Sequence, residues 1–145
     1  MMKPVKYALR GISIEQFAML FEPQSDDVEL EISVPIKTNY DTHTFAVGAS
    51  IRFVEKGNPF LVVEVYCHFI IENQTWEVLS DSSKRNVVLP RELIDALARV
   101  AVSTARGVMC ARTENTPYSK FFLPIVEIGN TQGDDLVIPR ELRSE

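Results

Sequence analysis

TFAVGASIRFVEKGNPFLVVEVYCHFII, residues 44–71, decides the fold. Its first half alternates. Phe45, Val47, Ala49, Ile51 and Phe53 share one face, and Thr44, Ala46, Gly48, Ser50 and Arg52 share the other. That is the period of a half-buried strand. Glu55-Lys56-Gly57-Asn58-Pro59 then reads as a short hairpin loop, with Gly and Asn where positive φ is tolerated. The second half is apolar at Leu61, Val63, Val65, Cys67, Phe69 and Ile71, and mixed at Phe60, Val62, Glu64, Tyr66, His68 and Ile70. Such a strand is central in its sheet or covered on its second side.

Upstream, Val28, Leu30, Ile32, Val34 and Ile36 alternate with Glu29, Glu31, Ser33 and Pro35. Pro35 cannot donate to a ladder, which places this strand at or near a sheet edge. Lys37 to His43 is a polar connection. An earlier strand runs from Val5 to Ile14: Val5, Tyr7 and Leu9 alternate, Gly11 allows a bulge, and Ile12 and Ile14 resume. The connections are too short for parallel crossovers, so the sheet is four-stranded and antiparallel.

Downstream the period changes. Val87-Val88-Leu89-Pro90 leads into a helix over Arg91 to Met109. Pro90 suits its first turn, Glu92 and Asp95 place negative charge there, and Arg106 and Arg112 stand near the far end. Its apolar arc spans roughly 200°, wider than the ~100° stripe that covers one sheet. The bulky part, Leu93, Leu97, Val100 and Val108, is expected on the chain's own sheet. The small part is expected on another subunit's helix, through Ile94, Ala98, Ala101, Val102, Ala105 and Met109. Asp95 falls on the polar arc. After a turn at Thr113–Pro117, Phe121–Ile128 reads as an extended apolar segment. The fold class is therefore α+β, one sheet followed by one long helix: a single domain over residues 1–128 and a loosely ordered tail over 129–145.

Net charge is −5 over 145 residues, with 46% hydrophobic and 24% charged residues. These are globular values, and the acidic balance speaks against a protein that grips a phosphate backbone. No stretch approaches the ~20 apolar residues of a membrane helix, and Met1 to Arg10 has no signal-peptide core. A soluble, cytoplasmic protein is expected. Cys67 and Cys110 read as buried hydrophobes in a reducing compartment. No nucleophile, metal or phosphate-loop motif occurs. His43 and His68 read as structural or solvated, and no catalyst, cofactor or metal is expected.

Apolar surface is in excess. Phe45, Phe53, Phe60, Tyr66, Ile70, Trp76, Phe121 and Phe122 exceed what one small core needs, and read as a groove for other apolar chains. The alternative is that they fill the core and a subunit interface, giving an oligomeric scaffold without clients.

Order and motifs together resemble the bacterial export chaperone SecB and its SecB-like relatives, from about Tyr7 to Ile128. The residues are Gly11-Ile12-Ser13-Ile14-Glu15, the Thr44–Ile71 hairpin, Leu89-Pro90-Arg91-Glu92, Arg106-Gly107 and Leu123-Pro124-Ile125-Val126. The resemblance implies a homotetramer, a dimer of dimers with long helices at the interface. It implies an ATP-independent holdase that keeps unfolded preproteins from collapsing, with the translocation motor SecA as a partner of its acidic surface. SecB-like chaperones of toxin–antitoxin systems guard an antitoxin instead. The family ends in a second helix and often a Cys/His-rich tail that docks on SecA with zinc. Here Gly129, Gly133 and Pro139 follow, without Cys or His, which points to extended chain in place of that helix. A hot-dog-type enzyme is the other alternative, but in that fold the long helix normally precedes most strands and often carries a catalytic acid.

Overall fold

The computed structural model describes residues 5–80, 86–125 and 136–139. In chain order the elements are β1 (Tyr7–Met19), β2 (Val28–Ser33), β3 (Ile36–Asn39), β4 (Thr44–Glu55), β5 (Asn58–Ile71), α1 (Asn73–Leu79), β6 (Asn86–Leu89), α2 (Arg91–Thr113) and β7 (Leu136–Pro139), with a 3-10 turn at Pro117–Lys120 before β7. The main sheet is antiparallel in the order β1-β5-β4-β2, with β3 also on β4. The fold class expected from sequence is the one observed.

The hairpin of β4 and β5 turns through Lys56 at φ 50° and Gly57 at φ 85°. Two central residues at positive φ give the turn whose twist matches the flanking strands. Asn58, expected to share that conformation, already belongs to β5. The Val28–Ile36 strand is broken at Val34-Pro35 into β2 and β3, yet both pair with β4 in one continuous register. Proline interrupts the ladder without shifting it, and it does so at the sheet edge. Its carbonyl accepts from Gly48 N at 2.8 Å. β1 extends to Met19, five residues beyond expectation, with bulges between Leu9 and Gly11 and between Ile14 and Gln16.

α2 packs on β4 and β5. The core lies between them: Phe45, Val47, Ala49 and Ile51 from β4, alternate residues Leu61 to Ile71 from β5, and Ile94, Ala98, Ala101, Ala105 and Met109 from the helix. The expected division of the helix is thus corrected. Ile94, Ala98, Ala101, Val102, Ala105 and Met109 are all buried against the chain's own sheet, and Val100 is exposed. Small side chains let a helix axis approach a sheet closely, so the alanine side sits on the centre. Asp95 is also corrected: it is buried, 3.0 Å from Arg91 Nε. Cys110 is exposed, whereas Cys67 is buried as expected.

Beyond α2, Arg106 Nε and one terminal nitrogen donate to the carbonyls of Leu123 and Pro124, each at 2.8 Å. This brings together two of the motifs on which the family resemblance was drawn, and it buries Leu123. Leu136–Pro139 pairs with β6, and Ile138 is buried, so this part of the tail is a strand. The remainder of 129–145, and Val126 to Ile128 of the expected extended segment, lie outside the described residues.

Candidate functional site: an exposed apolar edge

Among the described residues β1 is an outer strand of the sheet, paired with β5 on one side only. Register places Tyr7, Leu9, Ile12, Ile14, Phe17 and Met19 opposite Ile71, Phe69, Cys67, Val65, Val63 and Leu61. Residues opposed across an antiparallel pair share a face, so this apolar row points to the helix side. The helix does not cover it. Tyr7, Leu9, Ile12 and Ile14 remain 41%, 51%, 52% and 40% exposed. The two elements approach at the end of α2, where the Arg112 guanidinium lies 5.4 Å from the Phe17 ring centre. Val100, also exposed, stands on the helix.

The row continues into Leu20 and Phe21, which reach the hairpin end. Leu20 N donates to Phe60 O at 2.8 Å. There Phe21, Phe53, Phe60 and Phe121 form one aromatic cluster: Phe60 lies 5.9 Å from Phe21, 6.3 Å from Phe53 and 4.9 Å from Phe121. Phe122, 69% exposed, follows at the rim. Beside it a cavity of about 470 Å3 opens between Gln24, Ser25, Asp26, Val28, Lys120 and Phe121. Glu55 pins its far wall, accepting from Gln24 N, Ser25 N and Ser25 Oγ at 2.6–2.8 Å. The Ser25 hydroxyl bond, foremost, holds the Glu55 carboxyl below its usual range.

The eight residues expected to form a groove fall in different places. Phe45, Phe53, Phe60, Tyr66 and Trp76 are buried in this chain, so the excess of aromatics is taken up by its own core. Trp76 is in α1, stacked on His43 at 4.4 Å and edge-on to Tyr40 at 5.2 Å. Ile70 is half-buried on the outer face. Phe121 and Phe122 stand at the hairpin end, directly over Phe53 and Phe60 in the case of Phe121. The exposed apolar side chains that sequence reading passed over are those of β1. The signal was present in the six apolar residues between Tyr7 and Met19, but two bulges shift their spacing out of strict alternation.

The outer face holds a polar group. Ser13 Oγ donates to Glu15 at 3.1 Å and lies 2.7 Å from His68 Nε2. The direction of the Ser13–His68 bond follows the imidazole tautomer. The carboxylate sits on the serine and not on the imidazole, which is not the wiring of a catalytic triad. Burial pushes the Tyr66 hydroxyl above its ordinary value, and the neighbouring Glu64, then Glu15, push it further. Among the described residues no group of three His, Cys, Asp or Glu side chains is placed to hold a metal. No helix there is long and apolar enough to cross a membrane.

Fold and site together define an α+β protein whose main sheet has, among the described residues, a long unpaired edge that is apolar toward its helix. No protein-family model matches the chain, and no curated protein matches it. Among solved structures it is similar to a SecB-like chaperone of Mycobacterium tuberculosis, in complex with a ChAD peptide from the HigA1 antitoxin. Identity is 13% over 83% of this chain and 91% of that one, with a TM-score of 0.49.

Proposed function

We propose that this chain is a holdase, an ATP-independent chaperone that binds apolar stretches of unfolded polypeptide and works as a homo-oligomer. The observation that carries the reading is the β1 edge: a strand of 13 residues, free on one side among the described residues, with half-exposed apolar side chains along one face. Unpaired N–H and C=O groups beside apolar side chains suit an extended chain. The backbone supplies hydrogen bonds and the side chains supply sequence-tolerant affinity. Covering a fully exposed Leu or Ile gains about 1.5–3 kcal/mol, and these half-exposed ones proportionately less. Part of that is offset by ordering the client. Several copies on one oligomer raise the avidity. Phe21, Phe121 and Phe122 at the hairpin end extend the same apolar surface.

The test is suppression of aggregation of reduced insulin without ATP. Stoichiometric protein should hold it in solution, and Phe21→Ser with Phe122→Ser should weaken holding while far-UV dichroism stays unchanged. No suppression by the parent chain would sink the reading.

One observation favours a second reading, an oligomeric scaffold whose edge is filled by a sister copy. The apolar row of β1 is symmetric about Ser13: Ile12 and Ile14, Leu9 and Phe17, Tyr7 and Met19 stand at equal distances on either side. Antiparallel self-pairing about a two-fold at Ser13 therefore matches apolar to apolar. Ser13→Cys discriminates. In a Cys110→Ser background, a bismaleimide cross-link between the introduced thiols of two copies forms thioethers that survive the reductant of the insulin assay. Intact holding then places clients at the hairpin end, lost holding places them on β1, and no cross-link removes the sister-copy reading.

A further inference from the structure

We infer that the outer face of the sheet, opposite α2, is a docking site for an acidic peptide. A hollow of about 410 Å3 opens there, lined by Arg10, Lys37, Asn39, Thr44, Ala46 and His68 among others. Cross-strand pairing explains its shape. Lys37 of β3 stands opposite Ala46 of β4, Ala46 opposite His68 of β5, and His68 opposite Gly11 of β1. Ala46 keeps the floor low, and the longer side chains rise around it. Arg10, at the bulge beside Gly11, is exposed. Asn39 and Thr44 form the next row.

Charge argues for the occupant. The chain carries a net −5, yet none of the described residues lining this hollow is acidic. The Glu15 carboxylate is 4.0 Å from Lys37 Nζ, and the two side chains are 60% and 43% exposed, Lys37 first. Such a pair is weak and readily exchanged for another carboxylate. Lys37 also lies 4.1 Å from the Tyr66 ring centre, which holds its stem against the sheet.

Spacing argues for a peptide. Lys37 and Gly11 are three strand spacings apart, about 14 Å. One phosphate group reaches one end of that row. An extended peptide turns every second side chain to the same side at about 6.8 Å intervals. Carboxylates four residues apart therefore meet the β3 lysine and the β1 arginine together, with His68 between them. This surface lies on the face away from the apolar row, so it is independent of the holdase reading.

Fluorescence anisotropy with a labelled Glu-Ser-Gly-Ser-Glu peptide tests it on the full chain. The peptide should bind, and binding should weaken as salt rises. Arg10→Glu with Lys37→Glu should lower affinity about tenfold or more, the neutral pair Arg10→Gln with Lys37→Gln less. Glu15→Gln, which removes the internal competitor, should raise affinity about two- to fivefold. Insulin holding and far-UV dichroism should be unchanged in all three. The proposal is overturned if the charge-reversed protein, still folded, binds equally well, if a Lys-Ser-Gly-Ser-Lys peptide binds as tightly, or if equimolar inorganic phosphate displaces the acidic peptide.

Discussion

Gly48 has no side chain because Tyr66 lies over it. A Cβ at that position would stand 2.7 Å from a Tyr66 ring carbon and 3.1 Å from the Pro35 ring. Gly48→Ala is therefore expected to lower stability by about 1–3 kcal/mol, as overpacking does. The urea midpoint is the readout, and an unchanged midpoint would contradict the contact. Glu55 acts at the same scale. Its carboxyl is held below the usual range, so its contribution is present above the ordinary carboxylate pKa and is lost as pH falls through the lowered value. Glu55→Gln should remove that acid dependence and speed amide exchange at Gln24 and Ser25, whose N–H groups it accepts. Tyr66 has the opposite sign. Its raised pKa keeps the neutral form in the folded state, so that contribution is lost as pH rises above about 10. Tyr66→Phe should flatten stability in that alkaline range.

At the scale of elements, α2 is the one to perturb. Ala101 is fully buried against β4 and β5. Replacing it with Leu should destabilise the fold itself by about 1–3 kcal/mol. Had the alanine side met another subunit, the same change would dissociate an oligomer and leave dichroism intact. Thermal melting at two protein concentrations separates these outcomes: destabilisation of the fold lowers the midpoint equally at both, and loss of an interface lowers it more at the lower concentration. Arg106 links α2 to the segment after it through two carbonyl bonds. Arg106→Ala should release Leu123 from the core, seen as faster proteolysis between Lys120 and Ile125 with the sheet intact.

For the whole molecule, the question is where surplus apolar area goes. Burial within one chain accounts for the aromatics of β4 and β5, and the unsatisfied area is displaced to the β1 edge. Light scattering at micromolar concentration should show an oligomer. If a sister copy fills the edge, Ile12→Lys with Ile14→Lys shifts it toward monomer; if clients fill it, the oligomer persists and insulin holding falls. A monomeric parent would leave an exposed apolar strand that natural sheets avoid.

Much of this architecture was legible in residue order. The Thr44–Ile71 hairpin, its antiparallel pairing, the edge position of Pro35 and the long helix after Pro90 all follow from local spacing. α1, β6 and β7 were not legible. Asn73–Leu79 is only seven residues, and the two strands are four each, too short for a period to declare itself. Of the eight aromatic and aliphatic residues that the sequence points to as a groove, Phe122 stands exposed and Phe121 packs partly on the core, whereas the exposed Leu9, Ile12 and Ile14 carry no sequence signal beyond that of a strand. The sequence by itself determined which residues share a face, because alternation in a strand and 100° steps in a helix are properties of the backbone alone. Only the tertiary structure decided which faces are covered. That depends on where the helix axis lies over the sheet, and the small side chains of Ala98, Ala101 and Ala105 draw it onto β4 and β5, leaving β1 uncovered.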